Sequence, residues 1–127
     1  MEEFGQLKKV YCEYTTELHN CESITPNIRA KVIDRHELTV KLALKCMVEY
    51  FHNNNIECKY VNSYRYIIRK AIKNGIITNK KIWKQIGTDI NIEYTDEFEK
   101  LCYYKKICEQ YNLAMEEFIQ AMSDRGI

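Results

Sequence analysis

The scarcity of chain breakers is the strongest constraint on this sequence. One Pro and four Gly punctuate 127 residues, so long stretches are free to run as helix, and their apolar residues recur in steps of three and four. Phe4, Leu7, Tyr11, Tyr14, Leu18 and Cys21 form one such stripe, which predicts an amphipathic helix over about residues 2–21. "CESITPN" breaks it. Thr25 then offers a hydroxyl cap, and Pro26 suits the first helical position, where its missing N–H costs nothing. A second helix is predicted from Pro26 to about His52, roughly 40 Å long. Its buried face is drawn from Ile28, Val32, Leu42, Ala43, Cys46, Met47 and Tyr50, with polar interruptions at Arg35, His36, Glu37 and Thr39.

"HNNNIECKYVNS" reads as the longest loop. Ser63 caps a third helix through Asn74, and Gly75 ends it in the left-handed conformation that glycine adopts without strain. Thr78 or Asn79 opens a short helix containing Ile82, Trp83 and Ile86. Thr95 starts the last helix, with Asp96 and Glu97 placed favourably for its dipole. Phe98, Leu101, Cys108, Tyr111, Met115, Phe118, Ile119 and Met122 are its expected core face. No segment alternates with period two for long enough to predict a strand. The fold expected is all-α: an up-and-down four-helix bundle with an additional short helix, in a single domain over residues 1–127.

A formal charge of +1 gives no bulk field for nucleic acid or an anionic membrane, so any RNA contact must come from a local patch. No apolar run approaches 18 residues, and the acidic start "MEEFGQLKKVY" has no signal core, which predicts a cytoplasmic protein without a membrane span. The six cysteines (12, 21, 46, 58, 102 and 108) contain no Cys-x-x-Cys pair and share no ligand spacing with the three histidines. They read as buried free thiols, and neither a metal nor a cofactor is expected.

Two stretches carry more than a fold. "DRHELTVKLALKCMVEYF" (Asp34–Phe51) resembles the R-F-E-x-T-x-E-L-x-W-K signature of the nucleotidyltransferase substrate-binding proteins of the HEPN superfamily. Arg35, Glu37, Thr39, Leu42, Ala43 and Lys45 match it, whereas His36, Lys41 and Leu44 depart. "YRYIIRKAIKNGIITNKKIW" (Tyr64–Trp83) is similar to that family's P-R-x-x-I-R-x-A-x-x-x-G-L-I-x-x-x-x-x-W. Arg65, Ile68, Arg69, Ala71, Gly75, Ile77 and Trp83 match, and Tyr64 replaces the proline.

The resemblance implies a small helical bundle, commonly a homodimer, that assembles with a minimal nucleotidyltransferase encoded beside it in a bacterial toxin–antitoxin-like pair. Relatives in the superfamily are metal-independent ribonucleases whose signature is Arg, four to six residues, then His. In the family it reads like D-R-N-x-x-x-H-x-Y-D-E. With one or two deletions, "DINIEYTDE" retains Asp89, Asn91 and the acidic pair, but Ile90 stands at the Arg and Tyr94 near the His. RNA cleavage needs a base for the 2′-OH, an acid for the leaving oxygen and a cation for the phosphorane. Ile90 supplies none of these, and a phenol with an ordinary pKa near 10 is a poor base at neutral pH. The expected function is therefore a non-catalytic bundle that binds a nucleotidyltransferase and a nucleotide, RNA or other anionic ligand. A ribonuclease toxin using displaced residues is the alternative.

The candidate binding residues are Arg35, Glu37, Lys45, Arg65, Arg69, Asp89, Asn91 and Tyr94. Glu37 and Lys41, at i, i+4, fit a solvated ion pair, while the resemblance favours a polar cleft in which Arg35 and Glu37 reach Arg69, Asp89 or Asn91. Arg65 and Arg69, one turn apart with Lys70 and Lys73 nearby, form the best anion-facing patch, although a solvated face accounts for the lysines. Trp83 reads as a core anchor in preference to a stacking platform. Arg29 and His36 also match R-x6-H, but roughly 10 Å apart along one helix. They read as a surface arginine and a histidine at the bundle edge.

Overall fold

The computed structural model describes residues 2–19 and 25–125, with side chains for 3–13 and 25–125. Tyr14, Leu18 and Cys21 of the first stripe lie outside the described side chains. The elements run α1 (Glu2–His19), α2 (Pro26–Asn53), α3 (Tyr64–Lys73), α4 (Lys80–Asp89) and α5 (Glu97–Lys106). A π-helical turn (Ile107–Tyr111) then leads without a break into α6 (Asn112–Asp124). No strand occurs among the described residues, and the molecule is a helical bundle. Helix α2 is its axis, packing on α1, α3 and α5, while α3 packs on α4 and α4 on the π turn.

The helix starts follow their capping chemistry. The Ile28 N–H donates to Thr25 Oγ1 at 3.2 Å, the Tyr66 N–H to Ser63 Oγ at 3.3 Å and the Ile82 N–H to Asn79 Oδ1 at 3.3 Å. The last helix begins one residue later than expected. Asp96, rather than Thr95, accepts from Phe98 N–H (2.6 Å) and Glu99 N–H (3.4 Å), because its carboxyl reaches two free donors at once.

Gly75 has φ +73°, and a methyl group there would meet nothing within 4 Å. Only the backbone penalty remains, so Gly75→Ala should cost about 1 kcal/mol and lower Tm by roughly 3–5 °C. Gly75→Asn should cost less, because asparagine tolerates the left-handed region. A thermal melt in which the two variants match wild type would remove the conformational argument.

Phe4, Leu7 and Tyr11 of α1 join Val40, Ala43, Met47 and Phe51 of α2 in the core. The Tyr11 hydroxyl donates to Glu116 Oε1 at 2.8 Å, which ties α1 to α6. Trp83 is buried, with its ring 5.9 Å from that of Phe118 in an edge contact, and acts as a core anchor.

Three expectations change. First, His36 and Thr39 do not interrupt the buried face of α2; both are buried, because Val32, His36 and Val40 follow one another in steps of four. His36 is therefore no bundle-edge residue. Second, the core face of the last helix uses Tyr103 and Ile107 ahead of Tyr111, whereas Phe98 is 71 % exposed. Successive steps of four drift by about 40° each on a regular α-helix, and the wider π turn absorbs that drift. Third, of the five cysteines described, only Cys46 is buried, while Cys12 and Cys102 are exposed.

Candidate functional site

The last turn of α4 organises the polar interior. Asp89 is 5 % exposed and its carboxyl draws in three other elements. The Tyr111 hydroxyl of the π turn donates to Oδ2, the Tyr94 hydroxyl donates to Oδ1 at 2.8 Å, and Lys106 Nζ stands 3.8 Å from Oδ2. The π turn carries Tyr111 into this position. Asn112 N–H there reaches back five residues to the Ile107 carbonyl.

Two further groups complete the cluster. The His36 ring stacks on Tyr111 at 5.5 Å and meets Tyr103 edge-on at 5.8 Å. Its Nε2 is buried without a hydrogen-bond partner among the described residues. Burial pushes the imidazole pKa down to about 4, with Asp89 pulling weakly the other way. The Tyr103 hydroxyl donates to Glu37 Oε2 at 3.4 Å, and burial pushes the Glu37 carboxyl above the usual carboxylate range. The Tyr94 phenol is pushed up to about 12, first by burial and then by its bond to Asp89. A neutral buried imidazole and a phenol harder to ionise than usual are poor tools for phosphodiester cleavage. This cluster fastens the 90–96 segment to the bundle.

The concave chemistry lies on the other side of α4. A cavity of about 580 Å³ opens between α3 and α4, and Arg65, Arg69 and Lys84 line it. Thr88 and Asn91 add polar groups, and Ile68 and Ile92 add apolar wall. Among the described residues, no Asp or Glu lines it. Neither guanidinium nor the Lys84 ammonium has an ion-pair or hydrogen-bond partner among the described residues. A Cβ at Gly87 would sit 2.7 Å from the tip of the Ile68 side chain, so a larger residue there would push that tip aside.

Six of the eight expected residues are divided among three concavities, and Arg35 and Asp89 line none of them. Arg65, Arg69 and Asn91 share the α3–α4 groove. Glu37 and Tyr94 line a smaller recess of about 320 Å³ with Asp34, Glu93 and Lys100, and Asp89 lies buried behind Tyr94. Lys45 lines a third hollow, beside Glu3, Lys41 and Glu49. Arg35 is half-buried on α2, where its backbone carbonyl accepts from Thr39 Oγ1 at 2.7 Å. His36, Lys84, Tyr103, Lys106 and Tyr111 were missed. For His36 the signal was present, as a polar residue in step with buried Val32 and Val40.

Among the described residues, no three His, Cys, Asp or Glu side chains group as metal ligands. No described helix is long and apolar enough to cross a membrane. Residues 2–124 match the model of a family described as "nucleotidyltransferase substrate binding protein like". No curated protein matches the chain.

Proposed function

The chain belongs to the nucleotidyltransferase substrate binding protein like family, and from that membership we propose that it is a non-catalytic bundle serving a minimal nucleotidyltransferase. It binds that enzyme as a partner and holds an anionic ligand, such as a nucleotide, in the α3–α4 groove. The observation that carries the ligand half is the groove itself: among the described residues, its three cations have no partner and no acid lines the wall. Arginine forks suit phosphate oxygens, and an acid-free wall favours a group that brings its own negative charge. The proposal extends to a cytoplasmic, homodimeric subunit of a toxin–antitoxin-like pair.

The non-catalytic half of the proposal is supported by the residues that stand where the resemblance places the Arg and the His. Ile90 has no charge to offer a phosphorane, and the hydroxyl of Tyr94 is engaged by Asp89.

The test is co-expression with the nucleotidyltransferase encoded beside it, followed by titration calorimetry with ATP. The two proteins should copurify. Arg69→Ala should weaken ATP binding about tenfold, equivalent to ~1.4 kcal/mol, and leave the melting temperature unchanged. Metal-independent cleavage of total RNA by the purified chain, abolished by Arg69→Ala, would overturn the reading in favour of a ribonuclease.

A further inference from the structure

The groove belongs to a larger charge asymmetry. From Cys58 to Thr88 the sequence carries eight of the nineteen Lys and Arg residues and no Asp or Glu. All eighteen acids lie elsewhere, so the overall +1 conceals +8 on this stretch against −7 on the remainder. The stretch folds as one unit, the helical hairpin of α3, the Gly75 turn and α4.

Three of the eight cations line the groove, and a mononucleotide would satisfy those three. Lys59, Lys73, Lys80 and Lys81 are exposed outside it, and Lys70 is half-buried. Each helix is only about 15 Å long, so neighbouring charges fall within about one or two Debye lengths at physiological salt. Such crowding is self-repulsive unless a polyanion relieves it. On α3, Arg65, Arg69 and Lys73 form one row at steps of four, and Tyr66 and Lys70 form the row beside it.

An aromatic platform stands at the head of the hairpin. Tyr60 is 61 % exposed and meets Tyr66 edge-on at 5.1 Å. The Lys59 N–H donates to the Tyr66 hydroxyl at 3.3 Å, and the Lys70 ammonium lies 5.8 Å from the Tyr66 ring centre. Neither α3 nor α4 exposes a large apolar side chain, and the apolar groups exposed next to them, Val61 at the head and Ile92 on the groove wall, are outnumbered by the cations, a composition unlike the charge-depleted core of a protein–protein interface. A charged track with an exposed ring is the arrangement that holds single strands, with phosphates on the cations and a base on the ring.

We propose that the α3–α4 hairpin is a sequence-independent docking surface for single-stranded nucleic acid, its backbone following the Arg and Lys rows from the groove and one base stacking on Tyr60. This deepens the anionic-ligand reading of the groove and rests on it, but not on the nucleotidyltransferase partner. The recognised chemistry is a sugar–phosphate strand, whether ribose or deoxyribose.

The test is fluorescence anisotropy of the intact chain with labelled U12 and dT12 at 50 and 200 mM salt, with ATP titrated separately. Both oligonucleotides should bind. If four or five phosphates are engaged, affinity should fall roughly 50- to 100-fold between the two salts. Lys70→Glu with Lys73→Glu, outside the groove, should weaken oligonucleotide binding at least tenfold and leave ATP binding within twofold. Tyr60→Ala should weaken it about tenfold with no change in salt dependence. Similar affinities for U12 and dT12 would support backbone recognition, and a preference for one would support the strand proposal while identifying the sugar.

The proposal is overturned if the double substitution leaves oligonucleotide binding unchanged. It is equally overturned if polyglutamate of matched charge displaces the strand as well as unlabelled oligonucleotide does, which would point to an acidic protein. ATP binding without oligonucleotide binding overturns the strand and leaves the anionic-ligand reading standing. Failure of both removes both.

Discussion

Asp89→Ala should lower the free energy of unfolding by about 3–5 kcal/mol, a large share of the 5–15 kcal/mol that holds a typical domain together. The lost side chain is small, so the loss comes from what it leaves behind. The buried Tyr111 hydroxyl loses its acceptor, Tyr94 loses the bond that fastens its loop, and Lys106 loses its counter-charge. A buried donor without an acceptor costs about 1–3 kcal/mol, and here two phenols are orphaned together. Tyr111→Phe should cost much less, because Asp89 keeps Tyr94 and Lys106. Asp89→Asn should fall between the two, since its carbonyl oxygen can still accept from one phenol. Urea unfolding of the single and double variants closes a cycle for Asp89 and Tyr111. A coupling near zero would mean that the Tyr111–Asp89 hydrogen bond adds no stability.

Acidification from pH 6.5 to 4 should remove about 3 kcal/mol of stability, and His36→Phe should abolish most of that slope. The folded chain holds the His36 imidazole at a pKa of about 4, against about 6.5 in an unfolded chain. Between those values the unfolded state takes up a proton that the folded state refuses, so stability falls as pH falls through that window. Below pH 4 the loss is complete. Glu37 works in the other direction. Its folded pKa is raised, so its protonation relieves the fold slightly in acid and offsets part of the histidine effect. Denaturant midpoints at pH 6.5, 5.5 and 4.5 measure the slope. If the slope survives in His36→Phe, the buried imidazole is not its source.

Much of the fold was legible because its punctuation is chemical and local. Thr25 with Pro26, Ser63, Asn79 and Gly75 each mark a helix end through a hydrogen bond or backbone angle that needs no distant partner. The buried face of the last helix was harder to read, because its phase depends on a π turn that no local residue announces. The site was legible in part for a related reason. Arg65 and Arg69 sit one turn apart, and the Gly75 turn brings α4 back beside them, so the resemblance and the geometry coincide there. Arg35 and Lys45 are ten residues apart on a single straight helix, about 15 Å along its axis. One small cleft therefore cannot hold both. The charge of the hairpin escaped the whole-chain total, because −7 elsewhere hides +8.

The π turn also bears on how this chain is set beside its kin. A relative whose last helix runs as regular α throughout would reach the same core with one residue fewer between Lys106 and Asn112. Correspondence drawn by backbone continuity alone would then pair Tyr111 with a neighbour that never faces Asp89. Placing a one-residue gap inside Ile107–Tyr111 restores the match on both sides. Without that gap, the tyrosine that anchors the buried acid would look like an arbitrary substitution.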